Sequence, residues 1–142
     1  MAEPKRDSYI ISIEDWQMKC CGTPFSVGDK VEWLVFKCDG VSLATGKAIE
    51  YCYEKHSSDW HELFTLTGTV DEIKALFFSI EPHPNPTENH NCTHHRVYRK
   101  LKDIDYADGW DKDSEGLEVG EYEVSLIGCF VRPTKREEVT FS

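Results

Sequence analysis

The sequence lacks any long hydrophobic stretch. Hydrophobic residues make up 39% and charged residues 30% of its 142 residues, and no apolar run approaches the roughly 20 residues that a bilayer-spanning helix needs. Residues 1–7 carry mixed charge and lead directly into a strand-like run, so no signal peptide is expected. We therefore expect a protein that neither spans a membrane nor carries a secretion signal.

Basic residues are also scarce. The chain has 16 lysines and arginines against 26 acidic residues, which gives a formal net charge of -10. Such a surface repels phosphate backbones and anionic lipid headgroups unless a local basic stripe is present. The two candidate stripes, Arg96–Lys102 and Arg132–Arg136, are short, and the first alternates with apolar residues as a solvated strand face does. Neither a nucleic acid nor a membrane surface is expected as a partner.

The common catalytic motifs are missing as well. The sequence contains no glycine-rich phosphate loop, no G-x-S-x-G elbow and no H-E-x-x-H pair. Asp111, Asp113 and Glu115 imitate the start of an EF-hand loop, but Tyr122 stands where the twelfth ligand should be. We therefore favour a protein that is not an enzyme and do not expect a tight calcium site.

Alternating apolar and polar residues dominate what is present. This pattern, with strand-forming residues and glycine turns, predicts five or six strands. The predicted strands are Ser8–Trp16, Lys30–Cys38, Phe64–Ile80, Val97–Tyr106 and Glu121–Arg132. Phe64–Ile80 forms either one long bent strand or two strands, with a bend or bulge at Gly68. In the last strand, Tyr122, Val124, Leu126 and Phe130 share a face. A chain of this length forms one domain, so we expect a single-domain SH3-like or related β-barrel with long loops and at most one or two short helices.

The remaining segments are assigned by composition. Residues 39–63 fit neither a helix nor a strand clearly, although Ser58–Leu63 has the features of a short capped helix. The proline- and asparagine-rich residues 81–95 predict a protruding loop, and residues 1–7 and 133–142 predict flexible tails.

One dense stretch of the sequence carries a family resemblance. Between Trp16 and Trp33 the chain reads W-Q-x-x-C-C-G-x-P-F-x-V-G-D-x-V-x-W, and the motifs Tyr53-Glu54-x-His56 and Gly68-Thr69-Val70 follow later. Together these residues resemble the N-terminal signature of a family of small bacterial proteins known only as a domain of unknown function. The resemblance implies a bacterial cytosolic protein whose role is unassigned.

The adjacent cysteines of this stretch leave three interpretations open. Cys20, Cys21 and His56 could bind zinc, although direct adjacency makes it harder for two thiolates to converge on one ion. One cysteine could instead be an activated nucleophile beside Lys19 or His56. The third interpretation is structural, with one thiol packed in the core and the other in the turn at Gly22. The uneven spacing of the six cysteines predicts reduced thiols and a cytoplasmic protein.

The tryptophans provide the candidate binding surface. Trp33 lies on the apolar face of a predicted strand and should be buried, whereas Trp60 and Trp110 lie in predicted loops. Tryptophan in a loop either anchors that loop or contacts a ligand or partner. We therefore expect a small module that binds a protein partner or a small ligand through its loops, with zinc-dependent or thiol-dependent chemistry as the alternative and no other cofactor.

Overall fold

The structure is a computed structural model that describes residues 7–20, 22–54, 62–82 and 94–135. The chain is mainly β, with eight strands and one short helix within these residues. The elements are β1 (Ser8–Glu14), α1 (Asp15–Cys20), β2 (Phe25–Ser26), β3 (Lys30–Val41), β4 (Ala48–Tyr53), β5 (Leu63–Pro82), β6 (His94–Ile104), β7 (Tyr106–Ala107) and β8 (Glu118–Pro133).

Six of the strands form one sheet in the order β3-β4-β1-β8-β5-β6, and β2 and β7 form a separate two-stranded pair. All pairings are antiparallel except the short parallel one between β1 and β4. An additional pairing joins β3 to β5, so the sheet curls and one of its faces encloses the core. The SH3-like assignment is not confirmed, and the structure supports the coarser description of a mainly β chain built on a single sheet.

The core follows the alternation that the sequence predicts. Ile11 and Ile13 on β1, Trp33 and Val35 on β3, and Tyr122, Val124 and Leu126 on β8 are all buried. β5 is one strand, and its pairing with β8 shifts between Thr67 and Thr69, so the predicted bend at Gly68 is a change of register. The predictions that Trp33 is buried and that Tyr122, Val124 and Leu126 share one face are therefore confirmed.

The assignment of Phe130 to the core face of β8 is wrong, because this side chain is 56% exposed. Thr67 pairs with Phe130 and Thr69 with Ile127, so β8 contains one extra residue at this point. Gly128 accommodates that residue with a φ of 62°. The bulge reverses the alternation, and Cys129 packs against the core in place of Phe130.

Other boundaries differ from the prediction. The ambiguous residues 39–63 include the end of β3 and all of β4, where Tyr51 and Tyr53 are buried on alternate positions as in a strand. Leu63 begins β5, so the predicted helix Ser58–Leu63 does not reach it. Residues 55–61, most of the predicted loop 81–95, and most of both predicted tails lie outside the described residues.

The first predicted strand ends two residues early. Asp15–Cys20 forms α1, whereas the sequence predicts that Asp15 and Trp16 end a strand. Asp15 in the first turn and Lys19 in the last turn match the charge preference of a helix. No helix among the described residues is both long and apolar enough to cross a membrane.

Candidate functional site

α1 is attached to the sheet through a buried carboxylate. Asp15 is 2% exposed, and its two oxygens are bound by Lys19 Nζ at 3.2 Å and by Arg96 Nη1 of β6 at 3.0 Å. A buried charge that lacks such partners is strongly destabilising. The two cations therefore allow this helix to pack closely, and Met18 on its inner side joins the core.

Gly109 brings the β7–β8 loop against α1. Its φ is 89°, and a Cβ at this position would lie 2.8 Å from Met18 Cβ and 3.1 Å from the Lys19 backbone nitrogen. Only glycine combines this left-handed conformation with so close an approach. As a result, Trp110 emerges directly beside the helix.

The buried hydroxyl of Tyr122 fixes the same loop from the side of the core. Tyr122 is fully buried, and its hydroxyl accepts a 2.8 Å hydrogen bond from Gly109 N–H and donates one to the Asp111 carboxylate. Burial, together with the hydrogen bond and charge of Asp111, raises the pKa of Tyr122 far above its usual value. The hydroxyl consequently stays protonated and holds Gly109 and Asp111 on either side of Trp110.

The acidic turn after Trp110 is organised by the protein's own donors. One oxygen of Asp113 accepts backbone N–H bonds from Glu115 and Leu117, and the other lies 2.9 Å from Lys100 Nζ. These bonds lower the pKa of Asp113, although burial alone would raise it. The carboxylate that imitates an EF-hand ligand is thus already bound by a lysine, consistent with an ordinary turn.

Trp110 is nevertheless 63% exposed. Its backbone N–H is held by Asp108 Oδ1 at 2.8 Å, and Lys19 Nζ lies 4.9 Å from the centre of its ring. Trp16, 46% exposed, lies one turn before Lys19 on α1 and donates its indole N–H to Glu14. We call Trp16, Lys19 and Trp110 the tryptophan surface.

An aromatic cluster lies in the core that Met18 of α1 joins. The ring of Trp33 makes edge contacts with Phe25 at 5.0 Å and with Tyr53 at 5.6 Å between centroids. Gln17 Nε2 of α1 bonds Glu54 Oε1, next to Tyr53, at 3.2 Å. Phe25 and Trp33 of the family-like signature therefore belong to the same core cluster as Met18 of α1, and a groove of about 460 Å³ lies beside Phe25 and Trp33.

The side chains predicted to bind zinc or to act as a thiol nucleophile lie outside the described part of the chain. Cys20 is the last residue of α1, but its side chain lies outside the described residues, as do Cys21, His56 and Trp60 in full. Within the described part of the chain, no group of three or more His, Cys, Asp or Glu side chains is arranged to hold a metal ion. The zinc prediction therefore remains a prediction.

Two other thiols of the described chain, Cys52 and Cys129, are poorly suited to act as nucleophiles. Cys38, Cys52 and Cys129 are free and partly buried. Burial is the largest cause that raises the pKa of Cys52, followed by a hydrogen bond with Cys38, and burial also raises the pKa of Cys129. A raised pKa lowers the thiolate fraction at neutral pH, so Cys52 and Cys129 do not support a thiol-dependent reaction.

Sequence reasoning selected Trp110 but missed Trp16 and Lys19. Trp16 is the last residue of the predicted strand Ser8–Trp16, and it becomes a neighbour of Lys19 only because residues 15–20 form a helix. The signal that would have found them is the Asp15–Lys19 pair at helical spacing. Arg96 carries no such signal, since it lies 81 residues from Asp15.

Comparison with known proteins gives one match. A family model described as "Family of unknown function (DUF6578)" matches residues 7–132, which include the whole of the tryptophan surface. No curated protein and no solved structure matches the chain.

Proposed function

Because the chain belongs to a family of unknown function, DUF6578, its role must be inferred from the site, and we propose that it is a non-catalytic module that binds a partner protein. The partner binds at the tryptophan surface, through the loop that follows β7. This proposal includes the expected cytoplasmic location and bacterial origin, which remain predictions.

The observation that carries the proposal is the fixed exposure of Trp110. Hydrogen bonds at Gly109, Asp108 and Asp111 hold the loop, yet the indole projects into solvent instead of anchoring it. A large aromatic side chain held in place before binding loses little conformational entropy in a complex, which is why tryptophan is enriched among the residues that dominate binding energy.

The shape of the site favours a protein over a small ligand. Small-molecule sites are concave and enclose most of their ligand, whereas Trp16 and Trp110 both project from the surface. The groove beside Phe25 and Trp33 has a volume suited to a small ligand. The competing small-ligand function therefore belongs to that groove.

A peptide-display selection tests the proposal. Peptides are selected on the full chain and then compared for binding to the wild type, to Trp110→Ala and to Phe130→Ala. Phe130 is a matched control, because it is an exposed aromatic residue on the C-terminal part of β8. We expect ligands that bind the wild type and Phe130→Ala but not Trp110→Ala. Ligands that bind all three proteins equally would contradict the proposal. Ligands that contact only the residues of the groove beside Phe25 and Trp33 would also contradict it.

A zinc-dependent or thiol-dependent role for Cys20, Cys21 and His56 is the alternative. Its support is the Gln17–Glu54 hydrogen bond, because it joins the helix that ends at Cys20 to the residue two positions before His56. Elemental analysis of protein purified without a histidine tag, with Cys20→Ser/Cys21→Ser as the comparison, tests it. Less than about a tenth of an equivalent of zinc in the wild type would remove the metal role. An unchanged thermal stability in the double variant would weaken a structural role for the pair.

A further inference from the structure

We infer that the partner segment at the tryptophan surface is basic and that one of its arginine or lysine side chains stacks on Trp110. This inference rests on the proposed function and specifies the class of its partner. Its grounds are the charge around Trp110 and the way the chain already holds two of its own cations.

The loop that displays Trp110 is strongly acidic. Residues 103–118 contain a single basic residue, Lys112, and these acidic ones: Asp103, Asp105, Asp108, Asp111, Asp113, Glu115 and Glu118. Lys74 pairs with Asp103, and Lys100 pairs with Asp113 and Glu115. Among the described residues, no ion pair involves Asp108 or Asp111, the two carboxylates that flank Trp110 in sequence. Together with the net charge of -10, these carboxylates attract a cationic partner.

The chain uses the same combination of groups for its own cations. Lys19 contacts the carboxylate of Asp15 and lies over the ring of Trp110. Arg96 contacts the other oxygen of Asp15 and lies 4.2 Å from the centre of the Phe78 ring. In each case one cation joins a carboxylate to an aromatic face. A partner's arginine at Trp110 would find an exposed indole in a loop whose carboxylates Asp108 and Asp111 flank it in sequence, which provides the same two recognition elements.

A direct binding experiment uses a labelled peptide of alternating arginine and serine. Its control replaces each arginine with citrulline, which has nearly the same shape but no charge. Fluorescence anisotropy with the full chain is measured at ionic strengths of about 0.01 M and 0.15 M. We expect the arginine peptide to bind at least about tenfold more tightly than the citrulline peptide, and more weakly at the higher ionic strength.

Three substitutions and one control, Phe130→Ala, localise the contact. Trp110→Ala should weaken binding of the arginine peptide about tenfold, whereas Phe130→Ala should leave it unchanged. Asp108→Asn keeps an oxygen for the Trp110 N–H but removes the charge, so affinity should fall and depend less on salt. Lys19→Gln removes the competing cation from the ring and should strengthen binding by about two- to fivefold. Thermal melts confirm that each variant is folded.

Different failures have different meanings. If display yields Trp110-dependent peptides that are uncharged, or if the citrulline peptide binds equally well, the surface binds a partner but the basic class is wrong. If an acidic peptide binds and Lys19→Gln abolishes that binding, the partner is anionic and the inference is overturned. If no ligand depends on Trp110, the proposed function fails together with the inference.

Discussion

Replacing Gly109 by alanine tests whether contact with α1 is what positions Trp110. Two costs follow from the structure. A side chain at a φ of 89° adds about 1–2 kcal/mol of backbone strain. The new methyl group would also lie 2.8 Å from Met18 Cβ, and overpacking of this kind costs about 1–3 kcal/mol. The free energy of unfolding should therefore fall by about 2–5 kcal/mol.

Gly116 provides the matched control. Its φ of 85° is almost the same, but a Cβ there would meet no atom within 4 Å. Gly116→Ala should therefore cost only the strain, about 1–2 kcal/mol. Denaturant unfolding of the wild type and both variants measures the two losses, and their difference isolates the contact with α1.

A second measurement connects stability to the binding surface. In Gly109→Ala the loop must move away from the helix, so the indole of Trp110 should leave Lys19 and its fluorescence should change, while Gly116→Ala should keep the wild-type spectrum. If the two variants lose equal stability and neither changes the spectrum, Gly109 does not hold Trp110 against α1, and Trp110 is not fixed before a partner binds.

Three further predictions concern buried and titratable groups. Glu121 lies directly opposite Glu14. Burial is the largest cause that raises the pKa of Glu121; a hydrogen bond from Ser12 lowers this pKa, and repulsion from Glu123 and Glu14 raises it further. Because the pKa is higher in the folded than in the unfolded protein, the resulting contribution to stability is present below the unfolded-state pKa and is lost as the pH rises through the folded-state pKa. Glu121→Gln should therefore stabilise the protein by about 0.2–1 kcal/mol at pH 7 but not at pH 4, as measured by denaturation at both values. Tyr122→Phe leaves Gly109 N–H without its bond and should cost about 1–3 kcal/mol in the same assay, and an unchanged stability would refute that role. The pKa of Cys52 is raised in the folded protein, so iodoacetamide should alkylate Cys52 far more slowly in folded than in unfolded protein. Mass spectrometry measures both rates, and equal rates would contradict this prediction.

Much of the sheet could be predicted because a strand with one buried face has a period of two. Trp33, Tyr122 and Val124 each lie where this period places them. Phe130 could not be predicted, because the extra residue that reverses its direction is defined by pairing with Thr67, a residue distant in sequence. α1 was missed since six residues are too few for a helical period to stand out.

The candidate site was predictable only in part, for a related reason. The position of Trp110 in a polar, acidic segment indicated a loop, and that assignment is confirmed. Its exposure depends on long-range contacts, namely the approach of Gly109 to Met18 and the hydrogen bond between Gly109 and Tyr122. Trp16 and Lys19 could not be joined to it until residues 15–20 were known to be helical.

Asp15 links the core of the protein to the surface that we propose binds a partner. Burying its carboxylate with two cations contributes little net stability compared with an apolar group of similar size, since each charge must lose its water. The arrangement does, however, orient the side chain of Lys19. Asp15 holds Lys19 from the side of the helix, so the ammonium group meets the ring of Trp110 instead of extending into solvent. One indole face is thereby covered by an internal cation, and the part of the ring that stays exposed is what a cationic partner would contact.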